Sequence, residues 1–510
     1  MVVIGLDLGT TVCKAGLFDT TGKLLKLVRR EYPVTSDYPG WAEQNPDIVW
    51  NTIRMVLSEI AEDKQLNDPI KAICISAQGE AVVFLDQRGR PLRNSILGMD
   101  MRSVEQAERL KSKLGAEWFL ETPGVPPHPL TTVAKILWVK EHEPEIAQKT
   151  VRYLCYEDFA FFKLGDVPAI DYSLACRTGL FDMRKKKWSA KILDYTGINE
   201  DQLANIYPSG EAIGKINRKI AHTLGLPTDI LLVTGGHDVT CAALGAGAIN
   251  KGVGGDILGT AEIFGVTVEN NSVAKEIKPS NFACYCHVVP NKFWLMTLNH
   301  TGGLLLRWYR DNFGESEVKL SEKEGKDVFD LIVSKSKPDI AESMILPHFV
   351  GSGTPWIDAR SKGAIVGLSI HTNKADIIRA ILEAVIYEQK ISIDIFEKYG
   401  VDIKEIRAVG GGSKSRFWLQ IRSDILGKAV LTLETEEASC LGTAILANYA
   451  LGNYPSIENG VEQMVKMKDR IEPNKKLYSR YQQRYLIYQE LYPALKKINY
   501  SLQQISSRGG

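Results

Sequence analysis

The sequence predicts an α/β protein of two lobes that face one another across a ligand cleft. Three observations carry that prediction: short apolar runs that end in small-residue turns, longer segments of helical periodicity, and the return of the same pattern in the second half of the chain. A chain of 510 residues exceeds one ordinary domain, and a composition 44% hydrophobic and 24% charged supports large cores without disordered tracts.

Residues 1–6 read as a buried strand, Gly9, Thr10 and Thr11 as a small-residue turn, and residues 13–18 as the returning strand of a hairpin. Asp19, Thr20, Thr21 and Gly22 punctuate it before a third strand over 23–30. Asn45 ahead of Pro46 and Asp47 marks a capped helix start, with Ile48, Trp50, Ile53, Val56 and Leu57 at helical spacing. Extended runs follow over 70–76 and 81–85. Residues 231–234 form a buried strand that stops at Gly235, and Gly236, His237 and Asp238 lead into a small-residue helix over 239–248. The glycines of 252–259 read as a second turn leading to Thr260, and 263–268 as a strand, so this stretch repeats the opening hairpin.

The strongest amphipathic helix spans 374–398, with Ile377, Ile378, Ile381, Leu382, Val385 and Ile386 on one face. A strand-like run over 401–409 enters Gly410, Gly411 and Gly412, and helices follow over 415–426 and 439–451. The second of these is rich in Ala and Gly and suits close approach to a nucleotide or another backbone. Residues 456–496 read as polar helices with one apolar stripe, a packing cap. The main boundary falls near 250, giving an N-terminal lobe over 1–249 and a C-terminal lobe over 250–510, its helical cap starting at about 456.

With 62 basic against 61 acidic residues, no global charge draws the chain toward nucleic acid or a membrane surface. The basic run of Arg184, Lys185, Lys186 and Lys187 is short and reads as a solvated turn. Eight cysteines, mostly in apolar segments, indicate reduced thiols. Cys284, Cys286 and His287 lack a second ligand pair at finger spacing, so no zinc site is expected. The opening residues carry no leader pattern, and a cytoplasmic protein is expected.

Asp7, just before Gly9, Thr10 and Thr11, places a carboxylate at a strand end beside backbone donors and hydroxyls. That set suits phosphate and Mg²⁺, or else a tight hairpin in which Asp7 caps its own backbone. Asp238, after the Gly235-Gly236 pair, is the candidate base for a substrate hydroxyl, or else a helix cap. His237 is read as an orienting neighbour. Gly259 and Thr260 form a second phosphate loop, and Gly410 to Ser413 a third glycine-rich site able to lie against adenine and ribose. No Gly-x-x-x-x-Gly-Lys-Ser/Thr loop is present, and no Gly-x-Gly-x-x-Gly turn follows the first strand.

The run Gly363-Ala364-Ile365-Val366-Gly367-Leu368, with Asp376-Ile377 and Ala380-Ile381-Leu382-Glu383 beyond it, joins these motifs in an order that resembles the FGGY carbohydrate kinases. The resemblance runs from Gly5 to about Leu451. It implies an actin-like ATPase fold: two ribonuclease-H-like lobes, each a mixed five-stranded sheet flanked by helices, with ATP bound between them. It further implies Mg²⁺ at Asp7 and Thr11 and Thr260 near phosphates. Gly411, Gly412 and Arg416 would border the nucleoside, and Asp238 would be the catalytic base. Trp41-Ala42-Glu43-Gln44-Asn45-Pro46 matches a family stretch, and Gln78-Gly79-Glu80 occupies a substrate-contacting turn, so Gln78 and Glu80 are expected to bind hydroxyls or to form a structural turn network.

The family's glycerol kinases have Arg where this chain has Gly79 and Thr where it has Ala81. Their pocket Trp falls at Gly98 and their pocket Tyr near Leu130. That comparison implies a wider site and disfavours glycerol. The Gln-Met-His of xylulokinases is also missing, and the turn looks more like kinases of other ketopentoses or of erythritol. The expected substrate is a ketopentose or a polyol of similar size. An actin-like assembly ATPase and a noncatalytic sugar sensor are the readings from other classes, and a homodimer is expected by resemblance alone.

Overall fold

The computed structural model describes residues 1–62, 68–277 and 281–506. Its first sheet contains β1 (Val2–Leu8), β2 (Val12–Phe18), β3 (Leu24–Glu31), β4 (Ile70–Ala77), β5 (Ala212–Lys215) and β6 (Leu231–His237), in the order β5-β6-β4-β1-β2-β3. Its second contains β7 (Gly252–Leu258), β8 (Glu262–Val268), β9 (Ala283–Cys286), β10 (Phe293–Met296), β11 (Ile403–Val409), β12 (Ala429–Leu433) and β13 (Met467–Ile471), in the order β9-β10-β8-β7-β11-β12-β13. In both, an antiparallel hairpin lays its first strand parallel to a later one: β1 beside β4, and β7 beside β11. The repeat expected from the sequence is therefore a repeat of topology.

The sheets hold six and seven strands where five each were expected. One addition, β13, lies inside the segment read as helical cap. Lys468, Asp469 and Arg470 give it the charged pattern of an edge strand, which apolar periodicity does not detect. The expected turn over 252–259 is also corrected, because Gly252–Leu258 is strand β7. Its glycines are needed by packing. A Cβ on Gly254 would lie 2.5 Å from the Phe264 ring, and one on Gly265 of β8 would lie 2.4 Å from Trp294. Likewise β6 runs through Gly235 and Gly236 to His237, with a register shift at the glycines, where the sequence predicted a stop.

The helices that place the site are α1 (Pro46–Ala61), α2 (Thr132–His142), α3 (Tyr156–Gly165), α4 (Tyr172–Arg177), α5 (Asp238–Gly245), α6 (Gly302–Phe313), α7 (Lys374–Lys398), α8 (Arg416–Leu426), α9 (Ala438–Ala450) and α10 (Lys475–Ser506). Asn45 caps α1 by accepting from the Asp47 and Ile48 amides, as its sequence predicts. The buried stripe begins at Val49, however, and Ile48 is exposed. Asn373 caps α7 on the Asp376 amide, and α10 stacks Tyr485 and Tyr488 on Tyr387 of α7. No helix among the described residues is long and apolar enough to cross a membrane.

The halves meet where α9 crosses α5 and lies on β1. A Cβ on Gly442 would sit 2.0 Å from the Cys241 carbonyl oxygen, one on Gly245 1.9 Å from that of Ala438, and one on Gly5 2.1 Å from that of Cys440. The small residues of 439–451 thus serve backbone-to-backbone contact, one of the two uses the sequence allowed.

Candidate active site

Asp7 is the next-to-last residue of β1 and lies opposite Lys14 in the hairpin register. It accepts from the Ser76 hydroxyl at 2.7 Å, so its carboxylate is built into the ladder and does not cap its own turn. Burial raises its pKa, partly countered by Lys14 and Ser76. Lys14 Nζ in turn donates to Glu437 Oε2 at 2.6 Å, just ahead of α9. The neighbouring Glu436 pairs with Lys414 at 2.7 Å, so two consecutive glutamates tie the β1–β2 hairpin to the third glycine loop.

Asp238 is the first residue of α5 and keeps 30% of its side-chain surface open. It is not the cap of that helix. The cap is His237, without a side-chain capping bond, and Asp238 Oδ1 accepts from the adjacent Val239 amide at 2.7 Å. Burial, then the like charges of Asp7 and Glu80, push its pKa up to about 8, against the pull of Arg177. Beneath it a buried polar frame holds the strand end. Glu157 Oε1 accepts from the Gly235 amide at 3.0 Å, and the Ser173 hydroxyl accepts from the His237 amide at 2.9 Å. Asp171 accepts from the Ser173 and Ser209 hydroxyls.

The turn after β4 carries Gln78 and Glu80, both buried. Gln78 Nε2 reaches Gly9 O and Gln44 Oε1, each at 3.4 Å, and Gln44 Nε2 donates to Thr10 O at 3.0 Å, so Gln78 braces the Gly9–Thr11 turn. Glu80 adopts φ 65°, the left-handed region that a non-glycine residue enters at a cost. Its carbonyl is held by Thr132 and by Lys135 Nζ at 2.9 Å, and its carboxylate by Arg177.

The positions of Gly79 and Gly98 are packed and not open. A Cβ on Gly79 would lie 2.9 Å from His237 Nε2 and 3.6 Å from Arg177 Cγ, and one on Gly98 would lie 2.9 Å from Glu80 Oε2. Other side chains have filled those directions, and Arg177 restores a guanidinium. The Trp41 to Pro46 stretch is largely structural. Arg102 stacks over Trp41 at 3.6 Å and pairs with Glu43, and only Gln44 reaches the turn.

Gly259 and Thr260 are exposed, and their carbonyls accept from the Gly303 and Leu304 amides at the start of α6. Gly410, at φ 87°, and Gly412 pack on Leu258, which brings the second and third glycine loops together. Gly411 faces open space. Arg416 is exposed and lies 3.5 Å from Asp469. Asp376 and Glu383 accept from the Glu342, Ser343 and Ala341 amides, so the residues that distinguish the 363–383 signature hold the fold. Sequence reasoning missed Lys14, Arg177, Tyr285 and Glu437. Of these only Lys14 leaves a local trace, as the single cation in an otherwise apolar strand.

Among the described residues no group of three or more His, Cys, Asp or Glu side chains is arranged to hold a metal ion. One hard carboxylate at Asp7 beside the Gly9–Thr11 turn still fits Mg²⁺, which takes one or two protein carboxylates and fills its shell with other oxygen ligands and water.

Residues 2–245 match the N-terminal domain, and residues 257–451 the C-terminal domain, of the FGGY family of carbohydrate kinases. A xylulose kinase of Staphylococcus epidermidis is 31% identical over 99% of both chains. A gluconokinase of Bacillus subtilis is 29% identical over 89% of both. The crystal structure of ligand-bound xylulose kinase from Lactobacillus acidophilus superposes with a TM-score of 0.87 at 24% identity, over 97% of this chain and 98% of that one, and shares the fold. The chain belongs to the FGGY family of carbohydrate kinases, with its actin-like ATPase fold, and is an ATP-dependent sugar kinase.

Proposed function

We propose that this FGGY kinase transfers the γ-phosphoryl group of ATP to a primary hydroxyl of a ketopentose, a xylulose, in the cytoplasm. The carrying observation is that Asp238, with 30% of its side chain open, lies within the electrostatic reach of both Asp7 and the Glu80–Arg177 pair. One end of that set suits a metal-bound phosphate and the other a polyol. Asp238 accepts the hydroxyl proton as the oxygen attacks the γ-phosphorus, and ADP leaves with the β–γ bridging oxygen.

Gln78 and Glu80 take up sugar hydroxyls, with Arg177 fixing the Glu80 carboxylate. The turns at Thr10 and Thr11 and at Gly259 and Thr260 offer amides and hydroxyls to the phosphates. Gly411, Gly412 and Arg416 border the nucleoside. Mg²⁺ held through Asp7 supplies neutralisation of phosphate charge. The two sheets, one formed from residues 2–237 and the other from 252–471, support the division of roles between lobes over 1–249 and 250–510. Eight buried free thiols favour a reducing compartment.

The relatives named for xylulose and for gluconate set the test. An ADP-coupled panel of xylulose, erythritol, gluconate and glycerol, with the product mapped by mass and NMR, is expected to give the highest kcat/KM on xylulose. Preference for gluconate or glycerol would replace the substrate. ATP turnover indifferent to every sugar would point to an assembly ATPase instead.

A further inference from the structure

We infer that Tyr285, contributed by the second sheet, is a positioning residue for Asp238 and acts through His237. The inference rests on Asp238 being the base and extends that reading. Tyr285 lies in β9, and its hydroxyl is 2.8 Å from His237 Nδ1. On the other side of the ring, His237 Nε2 is 3.2 Å from Asp238 Oδ1. The three groups form one chain from the second sheet to the proposed base.

The proton positions in that chain follow from the chemistry. When Asp238 is ionised, a bare nitrogen lone pair 3.2 Å from its oxygen is repelled and an N–H is attracted, so the tautomer with the hydrogen on His237 Nε2 is the favoured one. Burial and the nearby Arg177 hold His237 far below its ordinary pKa, so the ring is neutral and has a single N–H. Nδ1 is then a bare acceptor, and Tyr285 is its donor. The competing partner of the Tyr285 hydroxyl, Met296 Sδ at 3.7 Å, is a much weaker acceptor. Tyr285 thereby selects the tautomer that supports ionised Asp238.

The surroundings are shaped for this ring. Gly79 has no side chain where His237 Nε2 sits, 2.9 Å from the position a Cβ would take. Strand β9 is fixed against the first half of the chain, since the Cys284 amide donates to Gly124 O at 2.8 Å and a Cβ on Gly124 would lie 2.3 Å from Cys284 O. Arg177 lies 5.1 Å from the Tyr285 ring, so the same tyrosine touches the arginine that holds Glu80.

The charged and titratable groups that face Asp238 are Asp7 from β1, Tyr32 after β3, Glu80 after β4, Arg177 from α4 and Tyr285 from β9, besides His237. Tyr285→Phe keeps the ring over Arg177 and removes only the hydroxyl. It is expected to lower kcat roughly tenfold to a hundredfold, a part of the 10²–10⁴ that a general base supplies, with both KM values within about twofold of wild type. Losing the donor to His237 Nδ1 frees the tautomer that favours ionised Asp238, which raises the Asp238 pKa, so the acid limb of kcat/KM moves to higher pH. An unchanged pH profile, with or without a fall in kcat, overturns the inference.

His237→Gln, whose amide still donates, is expected to exceed His237→Ala in activity, and adding Tyr285→Phe to it should cost nothing more. A full additive loss in that double variant would also overturn it. Asp238→Asn separates the two claims. If it turns over like wild type, the base assignment fails. If it is inactive while Tyr285→Phe matches wild type, only the role of Tyr285 fails.

Discussion

At Asp238 two demands conflict, because burial among like charges favours the protonated acid and the base proposed for it must be ionised. The folded-state pKa of about 8 lies far above the ordinary 3.8, so the group keeps its proton through neutral pH and loses it only above that. The kcat/KM of the enzyme is therefore expected to climb with pH and level off above about 8, reporting the free enzyme's base. A pH–rate profile checks this, and a flat profile from pH 6 to 9 would contradict it. Asp238→Asn removes the acceptor and leaves the volume, so kcat should fall about 10²- to 10⁴-fold while calorimetry finds ATP affinity unchanged.

Asp7 and Asp238 were legible in the sequence because each stands beside glycines at a strand end. Arg177, Lys14 and Tyr285 were not, since their partners are 97, 423 and 48 residues away. No local pattern records such a meeting.

Among elements, the β7–β8 hairpin shows how the Gly259–Thr260 turn is held from below. Arg422 of α8 donates to Asp256 of β7 at 2.8 Å and to Glu262 of β8 at 2.7 Å, all three buried. These carboxylates flank the Gly259–Thr260 turn, so the guanidinium fixes the turn's two strands. Arg422→Met leaves two buried acids without their cation, and a loss of about 3–5 kcal/mol is expected from chemical denaturation. Burial already holds Glu262 at about 7 despite Arg422, and its pKa rises further once the cation is gone. A carboxylate raised in the fold favours folding less as pH climbs from its unfolded value through its folded one, so the deficit should be larger at pH 8 than at pH 5. Equal deficits at both would contradict the account. Helix α7 was fully legible because its stripe is long and apolar. Strand β7 was misread as a turn, since its glycines answer to the Phe264 and Trp294 rings, partners that only the folded sheet supplies.

For the whole molecule, the sequence revealed two halves and left hidden the surface on which they join. That surface is backbone on backbone between segments about 200 residues apart, and glycine content alone could not say whether ligand or chain would fill the space. The joint bears on the proposed function because α9 begins at the candidate site. Glu437 binds Lys14, and the Ser439 hydroxyl lies 3.4 Å from Asp238 O. Gly442→Ala would place a methyl 2.0 Å from the Cys241 carbonyl oxygen, and no rotamer can relieve a clash with main chain. The helices must part, costing at least the roughly 1–3 kcal/mol of an overpacked core and shifting the α9 start from Asp238. We expect a lower Tm together with a kcat loss on every sugar. Gly411→Ala is the contrast, since nothing lies within 4 Å of its added carbon. It should leave Tm unchanged and raise only the KM for ATP. If Gly442→Ala kept wild-type Tm and turnover, the crossing of α5 and α9 would not be what aligns the two halves.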